Sequence, residues 1–160
     1  MADDFAGARA LVEAAIQALG LSPASVLAPL HPGSKGDDQA SWTLQRGSAA
    51  ILITLATRKI DAAGKECVFL RVISPVMTLP EPAKREALYK HLLELNAQGL
   101  ANAAFGLVNH RVVAVSERPT EDMQAAEVTQ MVRHLAALAD TYDDRLVKAF
   151  GGELASDEKH

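Results

Sequence analysis

The chain has 160 residues, 49% of them hydrophobic and 22% charged, a globular composition that excludes disorder over most of its length. Its formal charge of −4 lacks the basic footprint that nucleic acid and anionic membranes require, so neither is an expected partner. A single cysteine, Cys67, excludes an internal disulfide and a thiolate zinc site.

The start, Met1-Ala2-Asp3-Asp4-Phe5, is acidic where a secretion signal needs positive charge, and no apolar run approaches a membrane span. A cytoplasmic protein is expected. From Asp3 to Leu19, Phe5, Ala8, Val12, Ile16 and Leu19 recur at three- and four-residue steps, predicting a helix stopped by Gly20. From Leu21 to Ala40 the pattern breaks among Pro23, Pro29, Pro32, Gly33 and Gly36, predicting a long loop. Trp42 and Leu44 alternate with Ser41, Thr43 and Gln45, the mark of a half-buried strand.

Ala50–Thr57 and Cys67–Val76 read as two longer strands joined by a turn at Asp61, Gly64 and Lys65. Pro80 and Pro82 end the sheet segment, and Leu88, Leu92 and Leu95 mark a second helix closed by Gly99. Phe105 and Leu107 begin a strand that turns at Asn109-His110 and returns over Val112–Ser116. Thr120 is the expected N-cap of a long helix carrying Val128, Val132, Leu135, Leu138, Tyr142 and Leu146. Gly151 and Gly152 end it.

The order α-β-β-β-α-β-β-α, with short connections inside each strand group, predicts an α+β fold: an antiparallel sheet with helices packed on one face. Residues 1–152 are expected to form a single α+β domain, and residues 153–160 a charged, frayed tail.

No catalytic or metal constellation emerges. His31, His91, His110, His134 and His160 lie in five different segments, none paired at helical ligand spacing. Pro32-Gly33-Ser34-Lys35-Gly36 has the glycines of a phosphate loop, but Asp37 and Asp38 follow where a Lys-Ser/Thr pair is needed. Asp140, Asp143 and Asp144 read as a solvated helix face beside Arg145 and Lys148. No enzyme activity and no cofactor are expected.

What remains is apolar surface. If Ile51, Ile53 and Leu55 and, on the next strand, Val68, Leu70 and Val72 face the helices, the other face carries Leu52, Thr54, Phe69, Arg71 and Ile73. Such a face suits an extended peptide or a second subunit, unless the 21–40 loop folds across it. Charge is uneven: Met1–Ala40 carries −3 and Ser41–Leu79 +3, a basic middle able to steer acidic segments.

Leu92-Leu93-Glu94-Leu95-Asn96, Ala104-Phe105-Gly106-Leu107, Arg111-Val112-Val113-Ala114-Val115 and Leu138-Ala139-Asp140-Thr141-Tyr142 resemble the YbjN family. That family is similar in fold to the class I type III secretion chaperones of the CesT kind. The resemblance spans Leu88 to Phe150 and implies a small acidic cytoplasmic homodimer that binds an extended segment of a partner protein without catalysis. Secretion chaperones of this kind hold an effector segment along apolar patches, whereas YbjN-like proteins are described as regulators. The alternative is a regulatory domain that senses a small ligand in an enclosed pocket between sheet and helices.

Overall fold

In the computed structural model, which describes residues 4–30, 32–33, 36 and 38–157, the elements run α1 (Phe5–Ala18), α2 (Pro23–Val26), β1 (Gln39–Arg46), β2 (Ala49–Lys59) and β3 (Glu66–Thr78). After these come α3 (Pro82–Ala97), β4 (Ala104–Val108), β5 (Arg111–Pro119), α4 (Ala125–Phe150) and a 3-10 turn, η1 (Ala155–Asp157). The strands form one five-stranded antiparallel sheet in the order β1-β2-β3-β5-β4. The fold is therefore α+β in the expected order, with α2 and η1 as short additions. His31, Ser34, Lys35, Asp37 and His160, named in the sequence reading, lie outside the described residues.

The residues divide into two compact units. The first gathers Met1–Leu44, Leu52–Val72 and Glu117–Arg133. Here the Asp4 carboxylate accepts the Gly7 N–H at 2.7 Å and so caps α1. The helix buries Ala8, Val12 and Ile16, the middle of its predicted stripe, together with Ala15. It ends where Gly20 adopts φ +83, with the Leu21 N–H reaching back to the Ile16 carbonyl at 3.2 Å.

The predicted 21–40 loop needs correction. Ser22-Pro23 opens the one-turn helix α2, and Leu27 then bridges Trp42 antiparallel, with the Ala28 N–H donating to the Ser41 carbonyl at 2.8 Å. A single turn is too short to display a period, and one bridge leaves no alternation, so neither has a pattern to read. The result is that the chain itself pairs with the outer edge of β1 at Ser41 and Trp42.

Thr120 is also corrected: it is not the cap of α4. It is buried, its N–H and hydroxyl both donating to the Val68 carbonyl, at 2.9 and 3.2 Å. A turn with Asp122 at φ +59 follows, and α4 starts at Ala125. There the Glu127 carboxylate accepts the Gln124 N–H at 2.7 Å and pairs with Arg118 at 3.0 Å. The backbone bond first, and Arg118 second, hold the Glu127 carboxyl below its ordinary pKa.

The second unit gathers Gln45–Ile51, Ile73–Ser116 and His134–His160. In it α3 packs against β4, and the Asn96 side chain both donates to the Phe105 carbonyl (3.1 Å) and accepts its N–H (2.8 Å). Phe105 meets Tyr142 edge-to-face at 5.3 Å. The β4–β5 hairpin turns where predicted, with Asn109 at φ 55 and Val108 paired to Arg111. Past α4, the Thr78 N–H donates to the Glu153 carbonyl at 2.9 Å and Leu154 bridges Met77. Residues 153–154 of the expected tail are thus bonded to the end of β3.

Candidate functional site

Burial along the strands follows the predicted alternation. Ile51, Ile53 and Leu55 on β2, and Val68, Leu70 and Val72 on β3, are buried, while the residues between them are only half-buried. Leu52, Thr54, Phe69 and Arg71 share this half-buried side in the first unit. Ile73 has the same parity and the same partial burial, but belongs to the second unit.

The sequence reading missed two members of the first group, Arg58 and Glu117. The Arg58 guanidinium lies 5.7 Å from the centre of the Phe69 ring and donates through Nη1 to Glu117 Oε1 at 3.0 Å. The other carboxylate oxygen, Oε2, is 3.7 Å from Arg71 Nε, an ion pair longer than a hydrogen bond. Arg71 Nε is itself buried and has no hydrogen-bond partner among the described residues. Nearby, the Ser41 and Thr54 hydroxyls are 3.2 Å apart and bonded. Arg58 has the parity of Leu52 and Thr54 and was there to be read. Glu117 arrives on β5, and only the sheet order brings it next to β3.

The acidic residues do not build a site. Ser48 donates to Asp140 at 3.4 Å, and Asp143 accepts the Asp144 N–H at 2.6 Å. Burial first, against that bond, raises the Asp143 pKa. No group of three or more His, Cys, Asp or Glu among the described residues is arranged to hold a metal ion. Cys67 is half-buried, its thiol facing the Val68 carbonyl at 3.7 Å.

Three hollows, of about 840, 260 and 310 Å³, lie respectively beside Lys148 and Glu153, beside Ser48 and Pro75, and beside Phe5 and Cys67. No helix among the described residues is long and apolar enough to cross a membrane.

The α+β fold, with one five-stranded antiparallel sheet in the expected element order, is the architecture expected of the chaperone class named in the sequence reading. The chain belongs to the family described as T3SS (YopN, CesT) and YbjN peptide-binding chaperone 1, which matches residues 8–158. Solved structures share its fold, the following two among them. The crystal structure of the ExsC–ExsE complex matches with a TM-score of 0.59 and 14% identity, over 90% of this chain and 96% of that one. The heterodimeric complex ExoU–SpcU from the type III secretion system of Pseudomonas aeruginosa matches with a TM-score of 0.50 and 15% identity, over 87% and 97%. No curated protein sequence matches the chain.

Proposed function

We propose that the half-buried side of β2 and β3 holds an extended segment of a partner protein, without chemical conversion of that segment. The observation that carries this reading is Phe69: a large aromatic left half-buried in mid-strand, on the same side as Leu52 and Thr54, while the opposite side is sealed. Membership of a peptide-binding chaperone family supports it, as do the relatives' structures, which are complexes with a second protein. The reading includes a cytoplasmic location, and the family's description as a peptide-binding chaperone supports a non-catalytic role.

Panning random linear peptides displayed on phage against the wild-type chain and Phe69→Asp tests the reading. Peptides enriched on the wild type are expected to lose binding to Phe69→Asp, while the far-ultraviolet circular dichroism of the two proteins coincides. Enriched peptides that bind the folded variant as well would move the site elsewhere. Collapse of the variant's fold would make Phe69 a core residue.

The reading includes a homodimer. In the second unit, β4 is an end strand of the sheet with no charged residue or proline along Ala104-Phe105-Gly106-Leu107-Val108, so it lacks the usual protection of an open edge. Leu107 and Val108 are 47% and 42% exposed, and Leu93, on the helix that packs against this strand, is 69% exposed. A second copy related by two-fold symmetry would cover all three. Sedimentation equilibrium should give a dimer for the wild type and a monomer for Leu107→Lys; a monomeric wild type would refute the assignment.

A further inference from the structure

We infer that the segment held on this side carries an aspartate or glutamate beside an apolar residue, and that Arg71 is the residue that selects it. The inference rests on the peptide-binding reading above and specifies its partner.

Within the first unit, strand alternation places three charged residues on the half-buried side: Arg58, Arg71 and Glu117. The other positions of that parity, from Ser41 and Thr43 through Leu52, Thr54 and Ala56 to Cys67 and Phe69, are uncharged. Two guanidiniums therefore share one carboxylate, and the side carries a net positive charge on a chain whose total is −4. A positive, partly apolar face on an acidic molecule draws acidic segments to itself and away from the rest of the surface.

The two arginines are not equivalent. Arg58 is committed, stacked on Phe69 and bonded to Glu117 at 3.0 Å. Arg71 reaches Glu117 only at 3.7 Å, longer than a hydrogen bond, and its Nε has no acceptor among the described residues, so its charge is the less fully engaged of the two. Its side chain is still 40% exposed, so the guanidinium can be approached from solvent. The exposed end of a planar guanidinium fits a carboxylate through two parallel bonds, which a lysine cannot reproduce. Phe69, two residues away on the same strand and side, supplies the apolar contact for a neighbouring residue of the segment.

Panning the same peptide library on the wild type, Arg71→Met and Glu117→Gln tests this. Acidic residues next to apolar ones should be enriched on the wild type. On Arg71→Met the acidic enrichment should vanish while the apolar enrichment stays. On Glu117→Gln, which removes the internal competitor, the acidic enrichment should grow, a gain that a damaged fold cannot mimic. A wild-type-selected peptide resynthesised with Glu→Gln should bind the wild type about two- to fivefold more weakly, the scale of a half-exposed ion pair, and bind Arg71→Met unchanged. Apolar peptides enriched without acidic residues, or an acidic preference that survives Arg71→Met, would overturn the inference and leave the peptide-binding reading standing. No enrichment on the wild type would overturn both.

Discussion

Replacing Trp42 by alanine should lower the stability of the protein by about 3–5 kcal/mol, whereas replacing it by phenylalanine should change stability by no more than about 1 kcal/mol. Trp42 is fully buried in β1, between Ala40 and Leu44, which are buried with it. Truncation to alanine removes the largest side chain of that strand and leaves a cavity that close packing cannot refill. The indole adds a second term. Its Nε1 is buried with no hydrogen-bond partner among the described residues, a desolvation cost of about 1–3 kcal/mol carried by the native state. Phenylalanine loses part of the packing but also removes that cost, so the two changes offset. Urea unfolding of the three proteins at one pH measures the difference directly. A Trp42→Phe variant as unstable as Trp42→Ala would mean that the indole N–H is satisfied and that the full ring is required.

The consequence for function lies in which side of the strands is sealed. Trp42 and the buried residues of β2 and β3 fix the parity of the sheet, and parity was the part of the site legible in the sequence. Once Ile51, Ile53 and Leu55 are inside, Leu52 and Thr54 must be on the other side, because successive strand residues point oppositely. Phe69 and Arg71 follow in the same way from Val68, Leu70 and Val72. Glu117 does not follow: β3 and β5 are neighbours in the sheet but are separated in sequence by α3 and β4, and no local pattern records that pairing. The charge character of the site was therefore hidden while its apolar content was not.

The same distinction explains the misread start of α4. A threonine followed by Glu121 and Asp122 is a good local cap signal, but Thr120 is claimed by Val68, 52 residues away, and capping passes to Gln124 and Glu127. Long-range bonds also decide what happens beyond Gly152. The composition of residues 153–160 reads as solvated, yet Glu153 both accepts from and donates to Thr78 of β3.

That last contact makes Gly152→Ala a sharp test, with Gly151→Ala as its internal control. Both glycines have left-handed backbones, φ +87 at Gly151 and φ +83 at Gly152, so alanine at either costs about 1–2 kcal/mol in conformation alone. Their surroundings differ. A Cβ on Gly151 would lie 3.7 Å from Pro80 Cβ, an ordinary contact. A Cβ on Gly152 would lie 2.5 Å from the Thr78 carbonyl oxygen and 3.0 Å from Met77 Cε. The methionine can move, but the carbonyl belongs to the end of β3 and can yield only if the backbones separate. Separation breaks the bond from the Thr78 N–H to the Glu153 carbonyl (2.9 Å) and the bond from the Glu153 N–H to Thr78 Oγ1 (3.0 Å). Gly152→Ala should therefore be more destabilising than Gly151→Ala by about 1–2 kcal/mol, the scale of those two bonds. Amide hydrogen exchange should quicken at Thr78 and Glu153 in Gly152→Ala only. Equal losses of stability in the two variants, with both amides still protected, would show that the chain after α4 can shift without leaving β3.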